Sequence, residues 1–451
     1  MLNQYKSVFL GAGLKARALR SSLWSFLGFG GSQAVRLASN LVLTRLLFPE
    51  AFGLMSLILV VLIGLSMFSD AGIEPSIQHS KRGDEPDFLD TAWSMQVTRG
   101  VLLWLASGIL AYPLSLFYNE PALAYMLPVA GVSLFIQGLN PTRVITAGRH
   151  LMIGRLTLID FMSQTAGVVL MVALALIFKS VWVLVAGAIA SSAMKLVFCT
   201  LLLEGHKNRF RWEASAFHEL FHFGKWIYLS TVTGFFVAHG DRIILGKFIS
   251  IDMLGIYNIG YLLATFPLFL GEAVLGRVLI PLYREKPPSA SRENFLKLRK
   301  MRILVTGSLL TLTLLMAAFA SPIVSFLYDP RYAAAGGIAT LISVAIMPQI
   351  ILKTYDRVAL ASGDSRSFCI YMVISSVAQI SCFLIGVSMF GLVGALVGQF
   401  IAGLAVYPAL VWLARRHQAW DPLHDAIFGL SGIALGLAAV WYNIDAIAAI
   451  G

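Results

Sequence analysis

The chain has 451 residues, of which 58% are hydrophobic and only 13% charged, and its mean hydropathy is +0.79. A water-soluble chain of this length needs more charge to cover its surface, so soluble folds are excluded. The net charge of +11 would suit nucleic acid, but most of the 34 Lys and Arg fall in segments on one side of successive apolar runs, which argues against that partner.

Residues 1–21 form a basic, amphipathic N-terminal segment. No short apolar core with a small-residue cleavage site follows, so the first span is expected to serve as the insertion signal. Thirteen helices are predicted from apolar runs of span length. Six lie in an N-lobe over 22–203, at 22–47, 51–73, 91–116, 122–142, 156–178 and 181–203. Residues 204–225 read as a cytoplasmic linker, polar and basic and then amphipathic, lying on the inner membrane surface. Six more spans form a C-lobe over 226–416, at 226–248, 253–276, 303–321, 335–352, 367–389 and 392–414. Residues 417–451 hold one extra span, 425–443, read as peripheral, and the C-terminus. FPEA, YNEP, YDPRY and MFGL mark breaks. The cytoplasmic side takes Lys15, Arg17 and Arg20, then Arg143, Arg149 and Arg155, then Lys207, Arg209 and Arg211, and the run 292–302. That bias places the N-terminus inside and the C-terminus outside, with a basic face toward anionic membrane lipids.

The two lobes read as copies offset by 202 residues. Trp24 falls on Trp226, Leu27 on Leu229, Leu43 on Leu245, Arg45 on Lys247 and Gly53 on Gly255, so that LTRLLFPEAFGLMSL overlays LGKFISIDMLGIYNI without a gap. An even number of spans per copy keeps orientation, giving a parallel repeat about an axis along the membrane normal. That is a transporter architecture with a substrate site expected between the halves.

Charge at mid-membrane costs roughly 2.5–3.5 kcal/mol per side chain on insertion scales, so it marks a cavity or pathway. Arg36, Arg99, Lys195 and Arg242 lie within spans, accompanied by Asp160, Asp241 and Glu272. The surplus of cations suits a substrate with several negative charges, and a phosphate or pyrophosphate group fits bidentate Arg. Arg36, Arg99, Arg242 and Lys195 are therefore the candidate substrate ligands. The competing arrangement is structural, with Arg242 neutralising Asp241 and Lys195 snorkelling toward the cytoplasm. Asp241 and Glu272 are candidates to carry a coupling proton or cation, or else partners of a nearby Arg.

Other motifs are weaker. HELFH at 218–222 fits H-E-x-x-H, but no clear third zinc ligand follows, so a metalloprotease is disfavoured. Cys199, Cys369 and Cys382 have no paired spacing, which supports neither a disulfide frame nor a metal. The pairs Gly394–Gly398 and Gly432–Gly436 allow close helix packing. Pro49, Pro141, Pro267 and Pro281 are sites of kinks, either hinges or plain packing features. No P-loop appears, which argues against an ATP-driven pump.

LTRLLFPEAFGLMSLILVVL followed by SDAGIEPSIQ resembles the opening of the Wzx-type oligosaccharide flippases, in the polysaccharide-transport branch of the multidrug/oligosaccharidyl-lipid/polysaccharide exporter superfamily. DRIILGKFISIDMLGIYNIGYLLATFP, GRVLIPLYR and ASPIVSFLYDPRYAAAGGIATLISV continue the match in order, from about residue 20 to 416. The resemblance implies an all-α polytopic membrane protein with two six-helix lobes in a V-shaped bundle, plus the extra C-terminal helix. It implies a bacterial inner-membrane protein that moves an undecaprenyl-pyrophosphate-linked oligosaccharide repeat unit outward for surface or exopolysaccharide synthesis. It implies no cofactor, leaves H+ or Na+ coupling open, and suggests a polysaccharide polymerase and a chain-length regulator as partners. The superfamily's cavity helices include spans 1, 2, 7 and 8, which carry Arg36, Arg242 and Glu272.

The physical case stands beside it. A hydroxyl-rich sugar cannot cross hydrocarbon unaided, because each unsatisfied polar group costs several kcal/mol. A hydrated cleft removes that cost, and rocking lobes expose it to each side in turn. A multidrug or small-metabolite exporter of the same fold would want acids and aromatics in its cavity to hold organic cations. A membrane polymerase or ligase would want a sizeable outer loop, and the outer loops are short.

Overall fold

Helix length and proline placement set the elements. The computed structural model describes residues 14–70 and 72–450; the side chains of 14–23, 25–27, 29, 221–230, 270, 272–274, 276–278, 280 and 281 are outside that description. Among the described residues the chain is all helix with no strand. Among the same described residues, eight helices are long and apolar enough to cross a membrane, or nine when a pair bent by 58° is counted.

The chain packs as two units. The first takes residues up to Leu47 together with Leu57–Val232; the second takes Phe48–Ser56 together with Thr233–Gly451. The first unit holds α1 (Leu14–Leu46), most of α2 (Pro49–Phe68), α3 (Ile73–His79), α4 (Pro86–Tyr118), α5 (Leu123–Gly138), α6 (Arg143–Arg149), α7 (Ile153–Phe178) and α8 (Trp182–Leu202). The predicted fourth span, 122–142, instead ends at Gly138. Pro141 follows, and the chain bends into α6 because a proline displaces its predecessor from the helical region. Small residues let these helices close up: a Cβ on Gly100 would stand 3.1 Å from the Cα of Gly138. Ser94, Ser133 and Ser163 are buried and return their hydroxyls to carbonyls three or four residues back, so these three hydroxyls are satisfied.

The segment after α8 is pinned rather than loose. His206 Nε2 lies 2.7 Å from Asp90 Oδ1, and the backbone N–H groups of Arg209, Arg211 and Glu213 donate to Asp90, Ser94 and Thr91. Arg82 joins Glu85 and Glu213 at 2.7 and 3.0 Å. These contacts raise the Arg82 pKa, and hydrogen bonds from Ser215 and then Arg82 hold the Glu213 carboxyl below its ordinary value. From Ala214 the chain runs into α9 (Ala214–Phe248).

The second unit continues with α10 (Ile251–Ala264), α11 (Phe266–Glu285), α12 (Arg292–Leu327), α13 (Ala334–Leu352), α14 (Arg357–Ala361), α15 (Ser365–Arg416), α16 (Pro422–Tyr442) and α17 (Ile444–Ala448). Side-chain caps start several of them: Ser250, Ser291, Asp364 and Asp421 each accept from an N–H three residues on. The single predicted span 253–276 is two helices, parted at Thr265 just before Pro267. Helix α13 is central, with Ala335, Ile338, Ala339 and Ile342 fully buried. Helix α15 has 52 residues, about 78 Å at 1.5 Å per residue, more than twice a bilayer's hydrocarbon core. Gly391 at φ 59° breaks it, and its arms fold back on each other, since a Cβ on Gly398 would stand 2.2 Å from the Cys382 carbonyl oxygen. Those arms are the predicted spans 367–389 and 392–414.

Residues 202 apart meet inside this unit. A Cβ on Gly53 would lie 1.9 Å from the carbonyl oxygen of Ile251, and one on Gly255 would lie 2.0 Å from that of Pro49. Close by, the Ser56 hydroxyl donates to Asn258 Oδ1 at 3.2 Å.

The extra span was expected to be peripheral, and the structure moors it. Asp425 accepts from the hydroxyls of Tyr355 at 2.6 Å and Tyr407 at 2.9 Å and contacts His424, whose other nitrogen meets Thr306 at 3.0 Å. The fully buried Arg302 lies 4.4 Å from the Tyr355 ring and donates to Tyr283 and to the Ala419 carbonyl. A lone polar group at such depth is costly, whereas a satisfied network fixes its helices in one arrangement.

Candidate functional site

Inside the first unit lies a cavity of about 720 Å3, walled by α2 to α6 and α8. Arg99 and Lys195, two of the four cations singled out from the sequence, both line it. Arg99 on α4 donates from Nε to Ser69 Oγ at 2.9 Å and from a terminal nitrogen to the Ser66 carbonyl at 2.5 Å. That carbonyl belongs to the last turn of α2, whose dipole end favours a cation. The guanidinium is thus anchored on one edge at the cavity wall. Lys195 on α8 pairs with Asp160 on α7 at 2.8 Å, so the expected acid does accompany it.

The remaining lining is amide, hydroxyl and acid. Gln96 donates to the carbonyls of Gln137 and Asn140. Asn140 Oδ1 is buried with no hydrogen-bond partner among the described residues, which leaves an acceptor for a hydroxyl donor. Asp70 and Glu74 also line the cavity. Sequence reasoning missed both, since Asp70 falls at the end of the predicted span 51–73 and Glu74 just past it; the amides Gln96 and Gln137 inside predicted spans were the available signal.

The other candidates lie elsewhere. Arg242 belongs to the second unit and lines neither that unit's cavity nor this one. Its guanidinium stacks 4.2 Å from the Tyr261 ring, its Nε donates to Asn258 Oδ1 at 3.0 Å, and it stands 3.6 Å from Asp241. Asp241 accepts from the Tyr257 hydroxyl at 2.6 Å. Arg242 and Asp241 are thus close neighbours, as the structural arrangement requires. Arg36 sits on an exposed stretch of α1 beside Leu37 and Ala38 and is absent from the wall of the first-unit cavity. The backbone of Glu272 is on α11, and its side chain lies outside the described residues. In HELFH, His218 is exposed and Glu219 accepts from Ser80, while the His222 side chain is outside the description.

A helical body with many apolar spans, and a charged, amide-lined cavity inside one unit, defines a multi-pass membrane protein. The chain belongs to the family of polysaccharide biosynthesis proteins, whose model matches residues 42–336. The teichuronic acid biosynthesis protein TuaB of Bacillus subtilis is 20% identical over 278 residues, 61% of this chain and 57% of that protein, so the match spans little more than half of that relative. The succinoglycan biosynthesis transport protein ExoT of Rhizobium meliloti is 20% identical over 399 residues, 87% of this chain and 79% of that protein. Among solved structures, the lipid II flippase MurJ in an inward closed conformation superposes with a TM-score of 0.67 at 13% identity, covering 95% of this chain and 97% of that one. That likeness establishes the fold.

Proposed function

We propose that the protein is a flippase that carries an undecaprenyl-pyrophosphate-linked oligosaccharide repeat unit across the bacterial inner membrane by alternating access, for surface or exopolysaccharide synthesis. The observation that carries this reading is the first-unit cavity, where Arg99 and Lys195 face amides and serines inside an apolar helical body. Cations offset desolvation of a diphosphate, and amides replace the water around sugar hydroxyls. A relative named as a succinoglycan transport protein supports the substrate class. The reciprocal approach of Gly53 to Ile251 and of Gly255 to Pro49 supports a parallel six-span repeat. In this reading the N-terminus is cytoplasmic, the C-terminus lies outside, and the protein is a transporter and not an enzyme. A polymerase and a chain-length regulator act downstream of it.

Arg99→Gln and Arg36→Ala are each expected to abolish polymer export with normal membrane levels, and Arg36→Lys to retain part of it. Surface polymer is measured against protein abundance. Normal polymer in Arg99→Gln removes the cavity from the pathway, and normal polymer in Arg36→Ala removes Arg36. A second reading rests on Asp70 and Glu74 in the same cavity, which suit an organic cation. Drug efflux that falls in Asp70→Asn while polymer export persists would favour that reading.

A further inference from the structure

The second unit has a cavity of its own, about 420 Å3, reached by α9, α10, α11, α13, α14 and both arms of α15. That volume falls within the range of small-ligand pockets. Three glutamines line it: Gln349 from α13, Gln379 from the first arm of α15 and Gln399 from the second. All three lie inside spans predicted from apolar runs, where an amide loses its water and gains nothing from hydrocarbon. Gln399 is only 6% exposed, and its Oε1 has no hydrogen-bond partner among the described residues. The side chains of Gln349 and Gln379 have none there either. The rings of Phe368 and Tyr371 line the same wall. Its charged part is Lys353, Asp356 and Arg357. Arg357 Nε stands 3.4 Å from Asp356 Oδ1, and Lys353 and Arg357 each hold a further interaction within the protein. The unmet bonding capacity of this cavity therefore lies in its amides.

This combination selects among ligands. A metal ion or an organic cation meets two like charges on the wall. A wholly apolar molecule leaves three amides unpaired. Inorganic phosphate makes no use of the rings. A pyranose answers both kinds of group: its hydroxyls donate and accept, as a primary amide does, and its C–H face packs on an aromatic ring. We infer that this cavity binds a neutral hexose. Gln349, Gln379 and Gln399 exchange hydrogen bonds with its hydroxyls, and Phe368 and Tyr371 cover its apolar face. Attachment of that hexose to a lipid carrier rests on the flippase reading, whereas binding itself is tested without transport.

The test uses the full-length protein in lipid nanodiscs and measures binding of methyl glucoside and methyl galactoside, with sorbitol, glucuronate and inorganic phosphate beside them. Sorbitol carries the hydroxyls on an open chain and has no flat apolar face. At least one glycoside is expected to bind tighter than sorbitol. Gln399→Leu and Gln379→Leu should each weaken that binding roughly ten-fold, the scale of one buried hydrogen bond, while the surface control Arg155→Gln leaves it unchanged. Failure of both glycosides to bind overturns the proposal, as does binding that survives both leucine substitutions. Sorbitol held as tightly as the glycosides shows a merely hydrated space and overturns the ring assignment. Glucuronate or phosphate held more tightly identifies an anion site and overturns the neutral one. Binding lost in Arg99→Gln and kept in Gln399→Leu moves the sugar to the first-unit cavity and overturns this assignment. If the leucine variants fail to fold, the comparison of glycoside with sorbitol on the unaltered protein still decides. Proteoliposomes that move no lipid-linked sugar while the protein still binds a glycoside through Gln399 would sink the flippase reading and leave this site standing.

Discussion

In the first unit each cavity cation is tied along one edge, Arg99 to the end of α2 and Lys195 to Asp160, and the rest of the wall is amide and hydroxyl. In the second unit most buried polar groups are committed to one another. Tyr355, Tyr407, His424, Asp425 and Arg302 join α12, α15, α16 and the turn after α13, and Lys353, Asp356 and Arg357, on either side of Tyr355 in the chain, line a smaller cavity. The same residue types therefore do two jobs. Where each group has several protein partners they fix the helices, and where edges are left over they can meet a ligand.

Substitutions can break that contrast. Gly53→Ala should be the most damaging, because its Cβ would sit 1.9 Å from a backbone oxygen that no rotamer change can move. We expect little folded protein by size-exclusion chromatography. In the first unit, Gly131→Ala meets the Ser107 side chain at 2.0 Å; that hydroxyl can turn, so the cost should be about 1–3 kcal/mol. Equal severity of the two would show that the first unit is as rigidly packed as the second. Asp425→Ala strands two tyrosines and His424, and breaking such a buried pair costs about 3–5 kcal/mol, read as a lower unfolding temperature. Arg99→Ala, by contrast, should lose export with little change in that temperature.

The smallest effect is a pH dependence at the Arg82–Glu213 staple of the first unit. Glu213 titrates lower folded than unfolded. Its contribution is therefore present above the ordinary Glu value of about 4.3 and is lost as pH falls through the depressed folded value. Glu213→Gln should flatten thermal stability across that acidic window, and the effect is small because the pair is only half-buried.

Much of the helix pattern was legible because apolar length is a strong signal. The turn at Phe390 and Gly391 falls between two predicted spans, since MFGL carries a glycine where the backbone must reverse. The break at Thr265 was legible only as the kink expected at Pro267, because the apolar run continues through it. The cavity cations Arg99 and Lys195 were visible as charges in apolar runs. Lys353, Asp356 and Arg357 were not, because KTYDR follows the run and looks like loop. Nothing local separates a charged segment in water from one folded back into a helical body. Asp425 was equally opaque. Near a helix start it reads as an ordinary first-turn acid, and only the tertiary placement of Tyr355 and Tyr407 gives it a buried role.

The crossing at Gly53 and Gly255 has an evolutionary corollary. Two stretches that press on each other's backbones cannot drift apart independently, since any bulk gained by one must be tolerated by its counterpart. Each stretch thus restricts the side chains that its counterpart can carry at that point.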